Sequence, residues 1–408
     1  GLAVTNKIHS DDGDVMSVFW NKNDTTRQLL YGSAFVEVPA SGGSGNDNVG
    51  TSSNYIFDVN NDIDCLGDLV LKILYTNNGS GSTVVNTVNN QRLADIINRV
   101  EIQVGTQIWQ TFESADLLSL ASTELSSGSY ADFSFQTSGG VGDNNLFANG
   151  ALSGVIDSGR TCTVYIPLKL FTKTLGPRLE NFAEQTESGY LMAAAPHQQV
   201  KVKVYTNASF TDGTSGGTPS TIGLSLYAKN QVMCNEEREQ IKAMPMGLPK
   251  RIKMTQNKNQ ILTSASGTFE IDIDSFSLYA SHLLINLTGT SSALLLGGTA
   301  ELLLNSSSFS GKLSLGLLKI TGPTMGLFTN EYTANNGDVS STSTFVFPLA
   351  SRAYGGSSVP LNRFDNIRLK LVIPANAYVA GVKPTVNITC AGETTALYKG
   401  GSASLAMY

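Results

Sequence analysis

Val164-Tyr165-Ile166-Pro167-Leu168 is an apolar strand closed by a proline, and Phe345-Val346-Phe347-Pro348-Leu349 repeats it in the second half of the chain. Each is followed by an alternating strand. Val200-Lys201-Val202-Lys203-Val204 follows the first, and Ile367-Arg368-Leu369-Lys370-Leu371 follows the second. Each is also preceded by a strand pair. Leu69-Val70-Leu71-Lys72-Ile73 and Val100-Glu101-Ile102-Gln103-Val104 stand before the first, and Leu283-Leu284-Ile285-Asn286-Leu287 and Ala300-Glu301-Leu302-Leu303-Leu304 before the second. Period-two alternation of apolar and polar residues is the mark of a half-buried strand. Four such signals in the same order, twice over, point to two copies of one all-β unit.

Length and composition agree with a duplicated sandwich. The 408 residues divide into halves of roughly 200, within the range of a single sandwich domain and long enough to bury a core. Charged residues make up 15%, well under the roughly 25% of ordinary soluble domains, and Gly is abundant at 40 residues. Many short strands joined by long polar loops fit that profile, and so does a surface covered by neighbouring chains. The net charge of −6 argues against a large nucleic-acid footprint, so no direct sequence-specific nucleic-acid binding is expected.

The reading along the chain gives four segments: an N-terminal arm (1–30), a first sandwich (31–233), a linking helix (234–250) and a second sandwich (251–408). Residues 1–30 are polar and lack periodicity. Leu93-Ala94-Asp95-Ile96-Ile97 reads as one helical turn, and Ser114 to Leu125 has helical spacing at Leu117, Leu118 and Leu120. Asn235-Glu236-Glu237-Arg238-Glu239-Gln240-Ile241-Lys242 carries acids in its first turn and Lys242 towards its end, as a short helix before Pro245 should. Two long low-charge loops, Ser126 to Gly159 and Ser306 to Ser343, take matching places in the repeat and are expected to rise on one side of the molecule.

Catalytic and metal chemistry find little support. His9, His197 and His282 are dispersed, and none has a second His or Cys at ligand spacing. Cys65, Cys162, Cys234 and Cys390 show no CxxC spacing and lie in or beside apolar runs, so they read as buried thiols. The carboxylate pairs Asp62/Asp64 and Asp272/Asp274 share a strand face as calcium ligands would, but alternation with Ile63, Ile271 and Ile273 already accounts for them. The Gly-rich stretches lack a phosphate-loop context, and no GxSxG elbow is present. Lys250-Arg251-Ile252-Lys253 reads as a basic surface or interface face. No cofactor is expected, and the chain reads as a non-enzyme. Six Asn-x-Ser/Thr sequons stand at Asn23, Asn78, Asn207, Asn286, Asn305 and Asn387 as candidate glycosylation sites. No signal peptide and no apolar run of membrane-spanning length are visible, so folding in a reducing cytoplasm is expected, with an initiator Met removed before Gly1.

Several of these segments resemble the double jelly-roll major capsid protein of nucleocytoplasmic large DNA viruses. Gly67 to Ile73 resembles the family's GDL strand. Asn98 to Gln107 (Asn-Arg-Val-Glu-Ile-Gln-Val-Gly-Thr-Gln) resembles its VEIEIGGQ strand and turn. Tyr165 to Phe171 resembles its IPL segment, Cys234 to Arg238 its linker, and Ala300 to Asn305 its AeLqLNG. Phe347-Pro348-Leu349 followed by Pro360-Leu361-Asn362-Arg363-Phe364-Asp365-Asn366 is the most specific match, and Ala396 to Ala406 resembles the family's C-terminus. The matches run in consistent order from residue 67 to 408.

The leader lacks the family's pattern beyond Gly1-Leu2, the aromatics after the IPL segment are reduced to Phe171, and the loop after Asn305 lacks GhDRF. Those departures point to a divergent or small member, or to a virophage-like relative.

The resemblance implies two tandem eight-stranded antiparallel jelly-roll sandwiches with short helices in linkers and loops. It implies a homotrimer with pseudo-hexagonal outline, the capsomer of an icosahedral dsDNA virus shell. Neighbouring capsomers, minor capsid and penton proteins would be its partners, with contact to an internal membrane through the arm. It would reside in the virion capsid and assemble in the host cytoplasm. Arg363 and Asp365 are expected to form a hydrogen-bonded or ion-paired structural corner. The competing reading is a tandem β-sandwich carbohydrate-binding or adhesin module, which should expose clustered aromatics; Trp20 and Trp109 are the only tryptophans.

Overall fold

The computed structural model describes residues 32–42, 47–59, 63–79, 83–85, 96–124, 136–138, 154–156, 159, 161–168, 190–210, 219–232, 235–243, 248–290, 296–327, 341–354, 358–375 and 384–406. Eight principal strands lie in the first half: β1 (Gly32–Val38), β2 (Asn54–Val59), β3 (Cys65–Thr76), β4 (Ile97–Val104), β5 (Gln107–Glu113), β6 (Thr161–Leu168), β7 (Val200–Thr206) and β8 (Thr221–Val232). Eight more form the second: β9 (Leu248–Ile261), β10 (Gly267–Asp272), β11 (Tyr279–Thr290), β12 (Thr299–Leu304), β13 (Ser307–Ser308), β14 (Ser341–Pro348), β15 (Ile367–Ile373) and β16 (Thr385–Lys399). Among the described residues three α-helices join them: α1 (Ser114–Glu124), α2 (Asn235–Lys242) and α3 (Leu315–Thr324).

The pairing order shows the duplication directly. In the first half one sheet runs β1-β8-β3-β6 and the other β2-β7-β4-β5. In the second they run β9-β16-β11-β14 and β10-β15-β12-β13, the same order moved on by eight strands. All these pairings are antiparallel. The four repeated signals of the sequence fall on equivalent strands: β3 with β11, β4 with β12, β6 with β14, β7 with β15. This is a double jelly roll.

Side-chain alternation builds both cores. Strands β7 and β15 bury every second residue, Val200, Val202 and Val204 in one and Ile367, Leu369, Leu371 and Ile373 in the other. Sheets stacked ~10 Å apart interdigitate these inner faces, and each Val, Ile or Leu so buried contributes about 1.5–3 kcal/mol. Phe57, Tyr75 and Phe112 fill the first core; Phe276, Phe345 and Phe347 fill the second. The thiols of Cys65 and Cys390 are buried, and burial pushes that of Cys390 upward, which leaves it protonated and inert.

Helices α1 and α2 stand where the leucine spacing and the placement of charges predict. Only Ile96 of the turn read at Leu93 to Ile97 is helical among the described residues, and Ile97 already begins β4. The segment Ser306 to Ser343 is more than a loop. It contains α3, capped by Ser314, whose Oγ accepts from the Leu317 backbone N–H at 3.1 Å. Lys253 also departs from expectation. It lies on β9 at 2% exposure, with its ammonium 4.4 Å from the centroid of the Tyr354 ring. His9, Asn23, Asp62 and Cys234 lie outside the described residues.

Gly392 on β16 marks the tightest backbone approach. A Cβ there would lie 2.3 Å from the Tyr279 carbonyl oxygen and 2.9 Å from the Ala280 Cα. Because backbone, not a movable side chain, is in the way, Gly392→Ala is expected to cost about 3 kcal/mol. Urea denaturation of the variant, with a midpoint unchanged from wild type, would show that β11 and β16 can part without loss.

Candidate functional site: the joint between the two sandwiches

The described residues contain no group of three His, Cys, Asp or Glu placed to hold a metal. The densest polar chemistry lies instead where the two sandwiches meet. Strand β5 ends one sheet of the first half, and β9 ends one sheet of the second. A sheet edge leaves a row of backbone N–H and C=O groups that must find partners.

Gln110 on β5 supplies them at one point. Its Nε2 donates to the Thr255 carbonyl at 2.8 Å, and the Thr255 N–H donates to its Oε1 at 3.1 Å. One amide side chain thus stands in for a missing strand; Gln110 is 3% exposed and Thr255 6%. Gln198 does the same at a second point. Its Nε2 donates to the Ala403 carbonyl at 2.9 Å, and the Ala403 N–H donates to its Oε1 at 2.7 Å. The Tyr190 hydroxyl donates to the same Oε1 at 3.0 Å and orients the amide.

Helix α1 adds a carboxylate. Asp116 turns back at the helix start to accept the Glu113 N–H at 2.9 Å, then accepts from the Thr389 hydroxyl at 2.7 Å and from the Asn257 amide. One turn on, Ser119 Oγ accepts from Asn286 Nδ2 at 2.9 Å. Asn259 reaches the Glu113 carboxylate. Three aromatic rings line the far side: Trp109 stands edge-on to Tyr190 at 5.4 Å, and Tyr190 tilts against Tyr398 at 5.5 Å. The Leu191 N–H donates to the Tyr398 hydroxyl at 3.1 Å. The linking helix is tied to the first sandwich by Arg238, which donates to both Asp64 oxygens at 2.7 Å.

Burial sets the electrostatics. Asp116, 1% exposed, has its carboxyl pushed upward by desolvation, and the hydrogen bonds from Thr389, Glu113, Asn257 and Asn387 oppose that only in part. Glu113 is raised by desolvation and then by the neighbouring Asp116, against a smaller lowering by Arg99.

The carboxylate pairs read from sequence are structural where they are described. Asp64 takes Arg238, Asp272 takes Arg368 Nε at 2.9 Å across the β10–β15 pair, and Asp274 accepts the Ile367 N–H. His197 is exposed; His282 is fully buried, its Nδ1 2.8 Å from Ser281 Oγ and its ring 5.3 Å from that of Tyr354.

Arg363 and Asp365 are both exposed. The hydrogen bonds described at this corner run through Asn305. It sits at φ 48° in the turn after β12, and its Oδ1 accepts from the N–H of Asp365 at 3.0 Å and of Asn366 at 3.1 Å. Its own N–H donates to the Asn366 carbonyl at 2.8 Å. Asn tolerates this left-handed conformation better than most residues, a signal present in the sequence.

Of the other sequons, Asn78 is exposed with its Nδ2 3.1 Å from Thr221 Oγ1, and Asn207 is half-buried with its Oδ1 accepting the Ser209 N–H at 2.9 Å. Asn286 and Asn387 are 0% and 1% exposed inside the joint.

No family model and no curated sequence matches the chain. Solved structures do. The PBCV-1 virus capsid protein aligns at TM-score 0.68 with 12% identity, covering 94% of this chain and 98% of its own. The Faustovirus major capsid protein aligns at 0.57 with 8% identity over 92% of each chain. A chain from the Sputnik virophage aligns at 0.50 with 14% identity, covering 95% of this chain and 91% of its own. These neighbours are double jelly-roll capsid proteins, and this chain shares their fold along nearly its whole length.

Two predictions follow from the joint. A carboxyl whose folded pKa is raised favours the folded state below the ordinary carboxylate range, and that contribution is lost as pH rises through the raised value. The stability difference between wild type and Asp116→Asn is therefore expected to move in favour of wild type as pH falls from 7 towards 4; melting curves across that window that stay parallel would refute it. At the corner, Asn305→Ala is expected to cost about 1 kcal/mol by removing the hydrogen bonds to two backbone N–H groups and the residue suited to the left-handed turn, while Arg363→Ala stays within about 0.5 kcal/mol. Equal losses in chemical denaturation would restore Arg363 to the corner.

Proposed function

We propose that this chain is a major capsid protein whose homotrimer forms the pseudo-hexagonal capsomer of an icosahedral dsDNA virus shell. The observation that carries this reading is the repetition of one strand order in two sandwiches, locked side by side by Gln110, Gln198 and Asp116. Two similar lobes per chain give six per trimer, so a threefold object can tile a hexagonal lattice. The fold it shares with capsid proteins of PBCV-1, Faustovirus and Sputnik supports the same reading. On it the chain works by geometry and not by catalysis.

The partners are then two further copies, neighbouring capsomers, and minor capsid and penton proteins. The arm, 1–30, reaches beneath neighbours or to an internal membrane, and the product resides in the virion after assembly in the host cytoplasm. Among the sequons, Asn286 and Asn387 are too deeply buried to accept a glycan in the folded chain, and Asn78 and Asn305 are the exposed candidates among the described residues.

Size-exclusion chromatography with light scattering tests the reading. A species of three times 43.3 kDa with a six-lobed outline by electron microscopy is expected, burying more than ~2,000 Å² per contact. A stable single chain at high concentration would overturn it.

A further inference from the structure

Among the exposed apolar side chains of the described residues, two groups are the counterparts of surfaces that the internal joint covers. Strands β1 and β9 hold the same position, each the edge strand beside β8 or β16. On β9 the consecutive residues Ile252, Lys253, Met254 and Thr255 are all buried, at 1%, 2%, 8% and 6% exposure. Successive residues of a strand face opposite sides, so β9 is covered on both. On β1 the run Ala34, Phe35, Val36 and Glu37 is exposed on both faces, with Phe35 at 57% and Val36 at 41%.

The covering surface is duplicated too. In the first half Gln110 stands opposite Ile102 and is followed by α1, with Asp116 and Ser119 facing the second half. In the second half the β12–β13 turn repeats the two-residue turn between β4 and β5. Phe309 donates its N–H to the Leu302 carbonyl at 2.9 Å, which puts it at the place of Gln110. Counting from the first residue before each helix, Leu317 and Ile320 of α3 take the places of Asp116 and Ser119 of α1. Phe309, Leu317 and Ile320 are 43%, 46% and 63% exposed. Three polar joint residues are thus matched by three apolar residues left in solvent.

We propose that a second copy of this chain covers β1. The β13–α3 face of one copy, through Phe309, Leu317 and Ile320, packs on the β1 edge of the next, around Phe35 and Val36, and repeats between chains the joint that β5 and α1 make with β9 within one. The contact is head-to-tail and involves two different surfaces, so it forms a ring where the rotation closes. This rests on the trimer reading and names the surfaces that make the trimer.

The test uses the full chain and two single variants, Phe35→Asp and Ile320→Asp, each side chain being exposed in the single chain. Light scattering after size exclusion is expected to give three chains for wild type and for the conservative Ile320→Val, and one chain for each Asp variant, with the far-ultraviolet circular dichroism spectrum unchanged. Mixing the two Asp variants is expected to give a two-chain species, because the intact β1 of one meets the intact α3 of the other. Asp variants that remain trimeric, or a mixture that stays at one chain, would overturn the proposal while leaving the trimer standing. A wild type of one chain would overturn the trimer reading itself.

Discussion

An unsatisfied sheet edge is the constraint on which the rest of the molecule turns. A jelly roll folds two sheets face to face, and each sheet ends in strands whose outer N–H and C=O groups have no ladder to join. Leaving such groups buried and unmet costs about 1–3 kcal/mol apiece. Bringing two sandwiches side by side buries edges, so the joint is possible only where something meets them. Gln110 and Gln198 do this with the smallest available device, a primary amide that presents one donor and one acceptor in the spacing of a peptide group. The two sandwiches are therefore held in one relative orientation by groups that recognise backbone.

Asp116 adds direction to that grip. Its carboxylate is taken out of water and then met by the backbone N–H at the end of β5, a hydroxyl and an amide, from three elements. Such an arrangement stabilises less than it specifies, because desolvation offsets most of what the hydrogen bonds return. On the proposed capsomer reading, specificity matters more than strength at this place, since an error of angle between lobes would propagate across a lattice.

The strands were legible because alternation is a local signal. Val200 to Val204 and Ile367 to Leu371 announce their faces residue by residue, and their repetition exposed the duplication. The joint was not legible. A glutamine is polar in every context, and nothing local separates Gln110, which grips a backbone, from one that meets only water. Helix α3 was missed because Gly316, Gly322 and Pro323 argue against a helix; Ser314 as its cap was the available signal. Lys253 was read as surface because the Tyr354 ring that its ammonium meets comes from far along the chain. At the corner the sequence drew attention to the charged residues Arg363 and Asp365, and the contribution of Asn305 was passed over because its bonds come from a turn some 60 residues away.

The contrast between a polar joint inside the chain and an apolar face outside it has a physical reason. Within one chain α2 and its flanking residues tether the two sandwiches, so their association costs little translational freedom and hydrogen bonds suffice to fix it. Between chains the loss of that freedom is of order 4–15 kcal/mol and must be offset before any contact persists. Buried apolar area supplies about 25 cal/mol per Å², independent of exact angle. Replacing Gln110, Asp116 and Ser119 of one half by Phe309, Leu317 and Ile320 in the other is the exchange that this difference demands. The duplicated fold keeps the geometry of the contact, and the side chains are changed to suit whether the neighbour is already attached.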